Sequence, residues 1–198
     1  MLTLTKNDSI TARANRTAQW RTAMPDRKNP PVSTRRGDDG TTTLFGSGRM
    51  SKSDGRIIVL GDVDEASSFI GLARAEAAGD MAELLIGLQR LLYRVMGDVA
   101  MPEEKNAVNE DDIEHLDAAL AEWRNRTEIP KEFVIPGESR VGALLDVARS
   151  VTRRAERSLV AAGYAEAHPC ALKAVNRLSD LLFIIARNAD GRNSLSRG

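Results

Sequence analysis

Asp80 to Ala100 reads DMAELLIGLQRLLYRVMGDVA, and the fold class turns on this stretch. Leu84, Leu85, Leu88, Leu91, Leu92, Val95, Met96 and Val99 recur at spacings of three and four. At about 100° per residue they fall on one side of an α-helix, whereas a strand would need strict alternation. Asp80 and Glu83 stand at capping-box spacing at its start, and Pro102 bounds its end. A helix with one wide apolar face must bury that face against other helices or a sheet.

The flanking sequence supplies helices. Upstream, Asp62 and Glu65 repeat the cap spacing, and Val63, Ala66, Phe69, Ile70 and Ala73 predict a helix over 62–78, with Ile57 to Leu60 as a short extended lead-in. Downstream, Asn109 opens a helix with Asp111 and Asp112 in its first turn and Ile113, Leu116, Leu120 and Trp123 on one face, ending near Thr127. Lys131 to Ile135 is short and extended, and Pro136-Gly137 turns it into Ser139, the N-cap of a helix reaching Gly163. A last helix starts at Pro169, a first-turn position, and runs to Asp190 with apolar residues on most faces. The prediction is all-α: a five-helix antiparallel bundle with an oligomer interface, preceded by a glycine-rich loop and a disordered N-terminal arm. Residues 1–31 form the arm, 32–190 the helical domain and 191–198 a tail.

Composition narrows the function classes. The 198 residues carry 28 Lys plus Arg against 28 Asp plus Glu, so no basic surplus marks a nucleic-acid binder. Eight aromatic residues (2 Trp, 2 Tyr, 4 Phe) are too few for base-stacking platforms. Cys170 is the only cysteine, which excludes an intrachain disulfide and a cysteine-rich zinc site and fits a reducing compartment. No apolar run reaches the roughly 18 residues of a membrane span, and the start lacks the apolar core of a secretory signal. The expectation is a cytoplasmic protein without membrane or nucleic-acid partners. Residues 1–36 hold eight cations against Asp8 and Asp26, so a disordered extension and an organellar transit peptide, with a matrix location, both stay open.

Chemistry concentrates in ARSVTRRAER (148–157). Arg149, Arg153 and Glu156 lie within about 60° of one another on the helix, at the border of its apolar stripe. Two planar guanidinium forks one turn apart can hold a polyphosphate, with Glu156 orienting one of them; a salt-bridged solvent face has the same spacing, and Arg154 and Arg157 point toward it. The glycine-rich stretch from Thr34 to Arg56 can present successive amides over Gly37 to Thr43 to a phosphate, or be a surface turn. It is not a P-loop: in GSGRMSKS (46–53), Ser51 stands where glycine is required. On the last helix Asn176, Asp180, Phe183 and Arg187 share one side, and its buried polar groups need either a ligand or another helix as partner. His115 and His168 lack the paired Glu-x-x-His motifs of dimetal bundles and read as structural or solvent-facing, His168 as a helix cap. Cys170 has no identifiable base.

Three segments in order resemble the PduO-type ATP:cob(I)alamin adenosyltransferases: TRRGDDGTTTLFGSGRMSKSD (34–54) with GDVDEASSFIG (61–71), FVIPG (133–137) with ARSVTRRAER (148–157), and NRLSDLLFIIAR (176–187). The resemblance implies transfer of the 5′-deoxyadenosyl group of ATP to cob(I)alamin, giving adenosylcobalamin and inorganic triphosphate. It further implies a homotrimer with ATP and its Mg2+ at each subunit boundary, cobalamin beside it, and an adenosylcobalamin-dependent enzyme as recipient of the product. By resemblance Thr34, Arg35, Arg36, Gly37, Asp38, Thr42, Thr43 and Lys52 bind ATP from the loop, and Arg153, Arg154, Glu156, Arg157 and Asn176 from the helices. Arg149 and Asp64 match a salt-bridged pair across the boundary and, with Arg153, the catalytic set. Phe133 matches the aromatic under the corrin ring that displaces the lower axial ligand. Metal ligands are not identified.

The chain departs from the resembled pattern at Arg36, where a small polar residue is usual, at Glu138, where glycine is usual, and at Asn188, where tyrosine is usual. A non-catalytic trimeric ATP- or cobalamin-binding paralogue, acting as sensor or chaperone, is therefore the alternative to the enzyme, and a plain helical scaffold is a third reading.

Overall fold

A computed structural model describes residues 33–44, 48–101 and 107–196. The arm expected over residues 1–31 lies outside them, as do Gly46 of the glycine-rich stretch and Pro102. Two compact units divide the chain at Asp39 and Gly40. In the first, the Arg36 amide donates to Thr34 Oγ1 at 3.5 Å. The Asp38 amide donates to the Arg35 carbonyl at 3.4 Å, and Arg35 has a left-handed φ of 57°.

The second unit starts with a hairpin of β1 (Thr41–Thr43) and β2 (Arg49–Ser51), paired antiparallel with Thr42 opposite Met50. Among the described residues six helices follow: α1 (Gly55–Glu76), α2 (Gly79–Ala100), α3 (Glu110–Asn125), α4 (Arg140–Ala161), the single turn α5 (Tyr164–Ala167) and α6 (Pro169–Asp190). The five long ones form the predicted bundle. Their direction alternates along the chain: Asp62 and Glu76 of α1 meet Arg154 and Arg140 of α4, and Asp146 and Glu156 of α4 meet Arg187 and Asn176 of α6. Alternation makes the third and fifth long helices run the same way, and α3 and α6 touch in that sense, through Glu110 with Lys173 and Asp117 with Arg177.

The stripe on α2 packs as its spacing requires: Leu85, Leu88, Leu91, Leu92, Val95 and Val99 are buried, with Leu84 and Met96 at the margin. They belong to one apolar core with Val63 and Ile70 of α1, Leu145 and Leu159 of α4, and Leu178, Leu182 and Ile185 of α6. Helix α6 is the most enclosed, as its apolar circumference demands.

Local signals fared unequally. Asn109 and Asp112 close a reciprocal capping box, and the Ser139 hydroxyl caps α4 by accepting from the Gly142 amide. Ile57 to Leu60, expected to be extended, is helical, because Asp54 caps α1 by accepting from the Arg56 amide and the helix starts at Gly55. Asp62 is therefore inside the helix, and its carboxylate binds Arg154 and Ser158 rather than a helix end. Asp80 lies in the first turn of α2 but Ala78 holds the cap position; the Arg126 guanidinium beside Asp80 lowers its carboxyl pKa. Residues 34–56, expected to be loop throughout, contain the hairpin, in line with the strand preference of its threonines. His168 occupies the cap position of α6 without a side-chain cap bond; it is buried, its ring stacked on Tyr164 with centroids 5.7 Å apart. Among the described residues no helix is long and apolar enough to cross a membrane.

Candidate functional site

Between α3, α4 and α6 lies a cleft of about 430 Å³ whose lining includes Leu120, Arg124, Arg149, Arg153, Asp180 and Phe183. The two arginines expected to act together thus reach one cavity. Their backing differs. Arg149 is partly buried and its Nε donates to Asp146 Oδ1 at 3.2 Å. Arg153 is exposed, and among the described residues no carboxylate pairs with it. An unpaired guanidinium beside a fixed one suits an incoming anion better than a closed salt bridge does, since nothing must first be displaced.

Asp146 belongs to a buried chain of polar groups that reaches the start of α4. The Arg187 guanidinium, 1% exposed, lies 2.5 Å from Asp146 Oδ2 and 2.9 Å from Asp190 Oδ2. Asp190 Oδ1 in turn accepts from the Ser139 amide at 3.1 Å and from its hydroxyl at 2.8 Å. Glycine is required at position 142, where a Cβ would run into the Asp190 carboxylate. The polar side of α6 therefore finds its partners on another helix at Arg187, and likewise at Asn176, whose amide donates to Glu156 Oε1 at 2.8 Å. Glu156 was expected to orient an arginine; it orients Asn176 instead. Asp180 is exposed at the cleft.

The remaining arginines of α4 separate. Arg154, expected at the nucleotide by resemblance, is placed in ion pairs with Asp62 and Glu65 of α1, a tertiary pairing and not the i, i+4 one that spacing within α4 offers. Arg157 is exposed and donates to the Arg153 carbonyl at 3.1 Å. Asp64 is exposed on α1, and within the chain Arg149 pairs with Asp146 rather than with Asp64. In the hairpin, Thr42 is half-buried and Thr43 and Lys52 are exposed, with the Lys52 amide donating to the Gly40 carbonyl at 2.9 Å. The run of outward amides that Gly37 to Thr43 could present gives way at Thr41–Thr43 to a strand, whose amides alternate between β2 and the outside. Thr34, Arg35, Arg36, Gly37 and Asp38 lie in the first unit, all exposed except Gly37, which is half-buried.

Phe133 stands 87% exposed, with Ile135 also exposed, so a large aromatic is held open to a partner or ligand. Asn188 faces a second cleft of about 530 Å³, donating to Thr127 Oγ1 at 3.2 Å. Among the described residues no group of three His, Cys, Asp or Glu side chains could hold a metal ion. His115 is exposed, with Nδ1 2.6 Å from the Asp111 carbonyl. Cys170 is no activated nucleophile: burial and the neighbouring Glu110 raise the pKa of its thiol. It is expected to alkylate several-fold more slowly than an unstructured thiol in a timed iodoacetamide reaction at pH 8; equal rates would refute that.

Asp146 and Arg124 were missed by the sequence reading. A charge inside the stripe of Leu144, Leu145 and Ala148, three residues before Arg149, was the available signal for Asp146. Arg124 has none, because its relation to α4 is tertiary.

Fold and cleft together define a helical-bundle protein with an arginine-lined site for an anionic ligand. The cobalamin adenosyltransferase family model matches residues 32–189, and the chain belongs to that family. It is 36% identical over 170 residues to the corrinoid adenosyltransferase of Bacillus subtilis, covering 82% of this chain and 88% of that one. It is 39% identical over 159 residues to the cobalamin adenosyltransferase of Cupriavidus metallidurans, covering 79% and 86%. Among solved structures, a variant of the PduO-type ATP:corrinoid adenosyltransferase from Lactobacillus reuteri complexed with cobalamin and ATP superposes with a TM-score of 0.79 at 28% identity, covering 85% of this chain and all of that one.

Proposed function

We propose that this chain is an ATP:corrinoid adenosyltransferase that moves the 5′-deoxyadenosyl group of ATP onto cob(I)alamin, releasing inorganic triphosphate. The observation that carries this reading is the cleft in which Arg153, free of any carboxylate among the described residues, stands beside Arg149 fixed by Asp146. Cobalt(I) is the nucleophile: its electron pair forms the bond to C5′ while the C5′–O bond breaks and its pair leaves on the triphosphate. The corrinoid supplies the difficult chemistry, and the protein supplies alignment and charge stabilisation.

In this reading Arg153, with Lys52 and Arg157, stabilises the charge growing on the departing triphosphate. Glu156 and Asn176 hold each other and face the nucleotide together. Thr34 to Asp38, Thr42 and Thr43 also bind ATP. Mg2+ would travel on the phosphates, which supply much of its coordination in nucleotide sites. Arg149 and Asp64 pair across the boundary of a homotrimer, Arg149 being oriented for this by Asp146. The product passes to an adenosylcobalamin-dependent enzyme.

Phe133 packs under the corrin ring and excludes the lower axial ligand, which makes cobalt(II) easier to reduce. Phe133→Ala is expected to lower kcat at least about tenfold, ~1.4 kcal/mol of barrier, while the KM for ATP stays near wild type. Comparable losses in both would refute the role. The whole reading is tested by following adenosylcobalamin formation spectroscopically from cob(I)alamin and ATP. Turnover supports the enzyme. A melting temperature raised by ATP without turnover would favour the binding-only paralogue, and no shift at all the scaffold.

A further inference from the structure

The residues that follow α6 fold back onto the Phe133 segment. Val134 and Leu195 form an antiparallel bridge, the Ile135 amide donates to the Ser194 carbonyl at 2.9 Å, and the Ser196 amide donates to the Phe133 carbonyl at 2.8 Å. Gly191 makes the reversal possible: it ends α6 with a φ of 66°, a conformation glycine adopts without strain. The pairing is pinned a second time through Glu138. Its Oε1 accepts from the Ser194 hydroxyl and its Oε2 lies 3.7 Å from Arg192 Nε, with the Glu138 side chain 18% exposed.

This pairing bears on an aromatic that little else holds. Phe133 and Ile135 are i and i+2 on an extended segment, so they share one face, and both are exposed there. Val134 and its bridge partner Leu195 take the opposite face. An exposed phenylalanine on an unpaired loop would scatter over many orientations, and a ligand would have to order it on binding; backbone bonds on both sides of Val134 remove the backbone part of that cost in advance.

We propose that Glu138, Arg192 and Ser194 are positioning residues: they hold residues 192–196 in the single antiparallel bridge that fixes the Phe133 backbone for the corrinoid. The inference rests on reading Phe133 as the corrin-facing aromatic. None of the three residues need touch either substrate.

Two variants of the full chain test it, Glu138→Ala and Glu138→Gln, beside a chain ending at Gly191. Glu138→Ala and the shortened chain are expected to raise the KM for the corrinoid or lower kcat by about tenfold, with the KM for ATP within about twofold of wild type. The fraction of bound cob(II)alamin lacking its lower axial ligand, read by electron paramagnetic resonance with ATP present, should fall in parallel. Glu138→Gln keeps an oxygen for the Ser194 hydroxyl and should recover most of the effect. Hydrogen exchange at the Ile135 amide provides a readout independent of turnover: protected in wild type, it should open in Glu138→Ala. Unchanged corrinoid kinetics, axial-ligand fraction and Ile135 protection in Glu138→Ala would overturn the proposal while leaving the enzyme reading intact. A wild-type protein that makes no adenosylcobalamin but loses Ile135 protection in Glu138→Ala would do the reverse, removing the function and keeping the fastening.

Discussion

Arg153→Ala is expected to lower kcat by about 100-fold or more, the range measured when one pre-placed donor to a developing anion is removed. The KM for ATP should move much less, since the nucleotide has other contacts and the missing charge matters most once the C5′–O bond is breaking. The structure gives the reason to single out this arginine. Arg149 is tied to Asp146 and Arg154 to Asp62 and Glu65, so part of their field is already neutralised, whereas Arg153 opens on the cleft without a carboxylate partner among the described residues. Steady-state kinetics with saturating corrinoid separate the two parameters. A rise confined to KM would reassign Arg153 to ground-state binding.

Arg187→Met should produce the largest loss of stability, about 3–5 kcal/mol, because it strands the buried Asp190 carboxylate without a cation and leaves Asp146 with Arg149 alone. Asp146 and Asp190 are 6% and 0% exposed, and the guanidinium between them is the cation they share. Arg149 remains paired with Asp146, but Asp190 keeps only the neutral donors of Ser139. Urea unfolding measures the loss, and a variant as stable as wild type would contradict it. Breaking the group also frees the start of α4 from the end of α6, so the placement of Arg149 should suffer before the bundle melts. For that reason the Asp146, Arg187, Asp190 chain is best seen as the frame on which the anion site is mounted.

What could be read from residues alone depended on how local the controlling interaction was. The stripe on α2 and the capping box of Asn109 with Asp112 act within one helix, and both were legible. Helix α1 was read as starting too late because Gly55 weakens the helical signal and the Asp62 and Glu65 pair imitates a cap, while the Asp54 cap sits in a glycine-rich stretch that looks like loop. In the site, Arg149 and Arg153 were found from spacing on one helix. Asp146 gains its meaning only when Arg187 faces it from α6, and Glu138 only when Arg192 and Ser194 return to it from beyond that helix. Glu138, where the resembled pattern has glycine, turns its carboxylate to the returning segment.

Phosphorus-31 NMR of a single reaction mixture tests the central claim that Arg153 in the cleft receives an intact triphosphate leaving group. The expected result is inorganic triphosphate accumulating in equal amount with adenosylcobalamin, and both suppressed together in Arg153→Ala. Formation of ADP and orthophosphate instead, or a corrin product arising with ATP unconsumed, would contradict it.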